Sequence, residues 1–140
     1  MSLMGANSRL AGMSSKLYYL GPAIAWAGVI FWLSSQSGDS LPKPDIPQAD
    51  KAAHLAIYLI LGLLASRAWA GGRALSWREA AGACVVASLY GLTDEGHQLF
   101  VAERSCNWVD WAVDCLGSAA GAFAWPWLAG RRGGGEKFLH

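Results

Sequence analysis

Four long apolar runs punctuate the chain, each bounded by polar or glycine-rich stretches. The first, Leu17–Ser34, carries no charge, and the second, Ala52–Ala70, is entered through Asp50 and Lys51. The third, Ala80–Phe100, turns polar in its last two turns, and the fourth, Val109–Ala129, opens with Asp110 and Asp114. Each run approaches the roughly 20 residues that cross a hydrocarbon core of about 30 Å as a helix. Helices of a soluble bundle would show a broad polar face, which these lack. The pattern therefore predicts an all-α, integral membrane four-helix bundle. The first run exceeds the usual length of a signal-peptide core, about 7–15 residues, and no A-x-A pattern follows it, so it reads as a span. Pro-rich Leu41–Pro47 reads as an extended loop, and Gly130–Gly135 as a flexible tail. The expected organisation is an N-terminal segment 1–16, a transmembrane domain 17–130 and a tail 131–140.

Composition supports this class. Hydrophobic residues make up 54% of the chain, with 17 glycines besides and only 15% charge, against roughly 25% charge in soluble domains. A net charge of +1 and the lack of a basic stretch interleaved with aromatics exclude a nucleic-acid binder. Three cysteines, without a CxxC, suggest neither a disulfide framework nor a zinc site. Basic residues set the orientation. Arg9, Lys16, Arg67, Arg73, Arg78, Arg131, Arg132 and Lys137 fall on one side of the four spans, and Lys43, Lys51 and Arg104 on the other. By the positive-inside rule both termini are cytoplasmic, in a multi-pass membrane protein.

Nearly every costly polar residue falls at the same end of the four helices. Ser34, Ser35 and Gln36 close the first; Asp50, Lys51, His54 and Tyr58 open the second. Tyr90, Asp94, Glu95, His97 and Gln98 end the third, Arg104 lies in the following loop, and Asp110 and Asp114 open the fourth. Ionisable residues within spans face the bundle interior or a wet cavity and usually mark function. Helical spacing puts Lys51, His54, Tyr58 and Gly62 on one stripe, and Asp110, Asp114, Gly117, Ser118 and Gly121 on another. Gly117 and Gly121 form a GxxxG spacing that lets a neighbouring helix come close. His54, Asp94, Arg104 and Asp110 are expected around one outer-leaflet pocket.

The strings FWLSSQSG, DKAAHLAIYLILG and YGLTDEGHQLFVAERSCNWVDWAVDCLGSAAG resemble the VanZ-like family of small bacterial membrane proteins over residues 31 to 122. The matching positions include Ser35, Gln36, Asp50, Lys51, His54, Tyr58, Tyr90, Asp94, Glu95, Gln98, Arg104 and Asp110. The chain departs from the family at Ala102-Glu103, where Pro-Gly is usual, and at Asp114, where asparagine is usual. The family is named for a protein of teicoplanin resistance, so the resemblance implies an envelope role linked to that antibiotic. It supplies no reaction.

Three functions fit the residues. In the first, the pocket binds an anionic, lipid-linked headgroup, with Lys51 and Arg104 meeting its oxygens and Ser35, Gln36, Asp50, His54, Tyr58, Tyr90, Gln98, Asp110 and Asp114 around it. In the second, an intramembrane enzyme acts on an envelope lipid or on the lipoglycopeptide itself, with Asp94 or Glu95 as base, His97 or His54 as acid and Arg104 as oxyanion partner. In the third, the chain is a structural or regulatory partner of other membrane proteins through Gly117 and Gly121. A metal set drawn from His54, Asp94 and His97 lacks any HExxH-like spacing, so no metal and no cofactor are expected.

Overall fold

The computed structural model describes the backbone of residues 3–38, 40 and 48–133. These form α1 (Leu3–Ser34), α2 (Ala49–Ala70), α3 (Trp77–Gln98) and α4 (Trp108–Gly133). The described residues contain no strand. The expected helices are present, with shifted ends. Helix α1 starts well before Leu17, and α4 continues through Gly133, past Gly130, where a flexible tail was expected. Leu41–Pro47 and residues 134–140 lie outside the described residues.

Local chemistry explains the boundaries. Helix α3 begins on a capping box: the Ser76 hydroxyl accepts from Glu79 N–H while the Glu79 carboxylate accepts from Ser76 N–H at 2.9 Å. The S-x-x-E pattern in the sequence announces it. Asn107 caps α4 by accepting from Val109 N–H at 3.0 Å. Helix α2 ends at Gly71, whose left-handed φ of 56° lets its N–H reach the Arg67 carbonyl. Asp50 lies in the first turn of α2, behind Gln48, where its charge faces the positive end of the helix.

Two prolines lie inside helices, Pro22 in α1 and Pro126 in α4. Each removes an N–H and leaves the carbonyl four residues earlier without its helical partner. Neighbouring residues on α2 supply both replacements. The Ser66 hydroxyl donates to the Ala122 carbonyl at 3.0 Å, and the Arg67 guanidinium donates to Tyr18 and Tyr19 at 3.1 and 3.2 Å. Arg67 also lies 4.8 Å from the Tyr18 ring centroid. Where water is absent, such side chains make proline tolerable within a helix.

Helices α2 and α4 pack most extensively, and α1 touches α3 least. Glycines bring α2 and α4 close along their seam. A Cβ on Gly117 would lie 2.5 Å from the Leu55 carbonyl oxygen, and one on Gly62 or Gly121 would collide with the backbone of Ser118 or Leu59. The GxxxG face of α4 is thus covered by α2 of the same chain. Where α1 stands off α3, a cleft of about 520 Å³ opens, lined by Tyr19, Ile24, Ala27, Leu61, Val86 and Tyr90.

Most of the largest fully buried side chains are polar, while large apolar ones lie outside. Of the largest fully buried side chains, only Tyr58 has an aromatic body; the others are Glu95, Asp114, Ser66 and Ser118. Ile24, Phe31, Val85, Leu89, Leu116 and Trp127 are exposed. In water the exposed apolar surface would be costly; against lipid it is favourable, and the costly polar groups are kept off the hydrocarbon. Among the described residues, Ser15–Ser34 and Ala49–Ala70 are long and apolar enough to cross a membrane. Helices α3 and α4 have the length, but their carboxylates lower their mean hydropathy.

Candidate functional site

The polar residues gather where α1 and α3 finish and α2 and α4 begin. Two layers result, one against α1 and one between α2, α3 and α4.

In the first layer the Ser34 hydroxyl donates to the Asp94 carboxylate, and the Ser35 hydroxyl lies 3.1 Å from His97 Nε2. The His97 ring stacks on Phe31, with centroids 4.7 Å apart. Arg104 reaches back from the α3–α4 loop, donating to the Leu33 and Gln36 carbonyls, each at 3.3 Å. Leu33 O also accepts from Gln36 N–H at 3.2 Å, and Gln36 O lies just past the helix, so the guanidinium works as a C-terminal cap. Gly38 N–H donates to Ala102 O alongside, closing the loop on α1. The Gln36 amide donates to Trp32 O, and the Tyr90 hydroxyl to Ala27 O at 2.7 Å. Gln98 is buried one turn beyond Asp94.

In the second layer Lys51 bridges Asp110 of α4 and Asp50, the latter at 2.9 Å. One turn deeper, His54 Nδ1 lies 2.9 Å from Asp114 Oδ1. Glu95 accepts at Oε2 from Asn107 N–H at 2.9 Å, joining α3 to the start of α4. Asp114 comes this close to α3 because Gly91 has no side chain: a Cβ there would lie 3.3 Å from Asp114 Oδ2 and 3.2 Å from the Tyr58 ring. One donor atom from each of His54, Glu95 and Asp114 lies within 4.8 Å of the other two.

The residues expected around one pocket therefore occupy one end, but not one cavity wall. Asp94, His97 and Arg104 turn to α1, while Glu95 turns to His54 and Asp114. The acid–base group drawn from Asp94, Glu95 and His97 is divided between the layers. The metal set His54, Asp94 and His97 is divided likewise, since its last two members bond to α1 serines. Neither basic residue chosen for anion binding is idle: Lys51 is held by two carboxylates, and Arg104 spends two donors on carbonyls. Asn107 escaped sequence reasoning, although an asparagine directly before an apolar helical run is a cap signal. Ser66 carried no such signal.

An apolar exterior around buried carboxylates at one end of four helices defines a small all-helical membrane protein with an internal polar site. The VanZ/LLP1 family model matches residues 19–129, and the chain belongs to that family. No curated protein and no solved structure matches it.

Proposed function

We propose that this VanZ-like protein crosses the bacterial inner membrane four times, with both termini cytoplasmic, and binds the polar headgroup of a lipid-linked envelope molecule in its outer leaflet. The observation that carries the reading is the burial of Asp94, Glu95, Gln98 and Asp114 at one end of otherwise apolar helices. Such groups are expensive within a membrane and are kept for ligands or proton paths. The apolar cleft beside α1, which runs from Ser15, Lys16 and Gly71 at the opposite end toward the polar layers, supports an apolar chain beneath that headgroup. It ends at Ala27 and Tyr90, one turn from Asp94, and its volume falls within the usual range for small-molecule sites, roughly 300–1,000 Å³. The family's namesake link to teicoplanin resistance supports an envelope ligand.

Arg104 is the cation suited to the headgroup. Its carbonyl contacts hold the guanidinium in place through Nε and one terminal nitrogen, leaving the other terminal nitrogen for an oxyanion. Lys51, neutralised by Asp50 and Asp110, orients α2 against α4. Native mass spectrometry of the detergent-purified protein with a total bacterial lipid extract tests this. A headgroup-specific adduct is expected, weakened about tenfold to a hundredfold in Arg104→Ala, since a charge-assisted hydrogen bond contributes roughly 1.5–3 kcal/mol. Arg104→Lys keeps the charge but not the fork, and is expected to weaken the adduct as well. Unchanged lipid adducts in a folded Arg104→Ala protein remove the headgroup reading. Product released by wild type but not by Asp94→Asn would favour an enzyme instead.

Orientation has its own test. With Cys84 and Cys115 replaced by serine, half-buried Cys106 in the α3–α4 loop is expected to react with a membrane-impermeant maleimide in intact cells. Reaction only after the membrane is opened would invert the topology.

A further inference from the structure

We propose that His54, Glu95 and Asp114 form a binding site for one first-row divalent cation of the zinc type. The three residues come from α2, α3 and α4, and one donor atom of each lies within 4.8 Å of the others. Three protein ligands from different helices, one imidazole and two carboxylates, form a donor set that zinc and its neighbours accept, with further positions open to water or a ligand. Tetrahedral zinc with bonds near 2.0–2.2 Å places its donors about 3.3 Å apart. Small side-chain rotations toward a common centre supply the difference.

The cluster also lacks partners of its own. Glu95 is 1% exposed and Asp114 is fully buried, yet Glu95 Oε1 and Asp114 Oδ2 have no hydrogen-bond partner. A buried carboxylate oxygen left unpaired is costly, and low dielectric raises the cost for two such groups beside each other. The basic side chains nearby do not relieve it. Lys51 is bound to Asp50 and Asp110, and Arg104 faces the end of α1. Asp94 adds a further carboxylate close enough to interact with both His54 and Asp114. A cation of charge +2 balances Glu95 and Asp114 with His54 neutral. From an imidazolium His54, binding releases one ring proton to water and leaves the ring neutral, while the unpaired Glu95 Oε1 and Asp114 Oδ2 supply the oxygen donors.

The second layer is also built to hold ligands still. Asn107 N–H fixes one oxygen of Glu95 and leaves the other for the cation, as outer-shell partners of metal ligands do. Gly91 provides the space that brings the Asp114 carboxylate against α3. The site stands on these three side chains and holds whether or not a lipid headgroup binds.

Zinc titration of the full-length protein, purified without a polyhistidine tag and stripped with chelator, tests the proposal. Saturable binding of one Zn²⁺ per chain is expected, retained in Glu103→Gln, a control at an exposed carboxylate in the α3–α4 loop. Affinity is expected to fall at least tenfold in His54→Gln and in Glu95→Gln, both of which keep side-chain size. Zinc-edge X-ray absorption on the wild type supplies a second measurement that does not depend on the folding of either variant. One imidazole nitrogen with oxygen donors is expected in the first shell. No saturable binding to the folded wild type, full affinity in both folded variants, or a shell with sulfur or several imidazoles would each overturn the site.

Discussion

Gly121→Ile is expected to abolish the folded state in detergent. A Cβ at this position would run into the Leu59 carbonyl and approach Leu63 N at 2.8 Å, so the obstacle is backbone on both sides. A side chain can rotate away from a new methyl group; a helix backbone gives way only if α4 moves off α2, the largest interface in the molecule. Overpacking a core commonly costs about 1–3 kcal/mol, and a backbone obstacle puts this change at or above the upper limit. Against a typical net stability of about 5–15 kcal/mol, and with the seam also carrying the Ser66–Ala122 and His54–Asp114 bonds, separation of these helices removes most of what holds the bundle. Gly28→Ala is the contrasting variant. Nothing lies within 4 Å of a Cβ at Gly28, so alanine there should be neutral or stabilising, by up to about 1 kcal/mol from helix propensity. Unfolding by sodium dodecyl sulfate titration, followed by circular dichroism, reads both. Equal midpoints for Gly121→Ile and wild type would show that the seam is not as close as described.

The second large effect concerns Asp114. Asp114→Ala is expected to lower stability by about 3 kcal/mol, since removing one member of a buried pair leaves the other unsatisfied and a small cavity beside it. Asp114 is fully buried and the His54 side chain is 18% exposed, which places the pair nearer that regime than the surface pairs. Asp114→Asn keeps the shape and an acceptor for His54 Nδ1–H, and should cost about 1 kcal/mol. The double variant His54→Leu with Asp114→Leu separates structure from function. Replacing both partners by apolar groups is often neutral or stabilising, so recovered stability is expected, together with loss of metal and lipid binding. Recovery of stability without loss of either would reduce the pair to a structural tie.

Much of this architecture was legible in the chain. The rise of a helix per residue is constant, so the depth of a residue follows from its position in an apolar run. That is why position along the chain alone puts Ser34, Asp50, Asp94, Arg104, Asp110 and Asp114 at one end. Cap chemistry is equally local: Ser76 with Glu79, Asn107 before Trp108 and Gly71 after Ala70 mark ends that depend only on neighbours in sequence.

Rotation about each helix axis and the choice of partner were not legible. Adjacent residues on a helix point about 100° apart, so Asp94 and Glu95, neighbours in sequence, serve different layers: Asp94 bonds to Ser34 of α1 and Glu95 joins His54 and Asp114. The prolines make the same point. The sequence by itself determined that Pro22 and Pro126 leave carbonyls without donors, because the missing N–H is covalent fact. Only the packing of α2 between α1 and α4 decided that Ser66 and Arg67 supply them. Helix identity, length and polar depth were thus properties of the chain. The pairing of carboxylates with cations, carbonyls or each other was decided by the tertiary structure, because it depends on how close two backbones come, and here glycines at 62, 91, 117 and 121 set that distance.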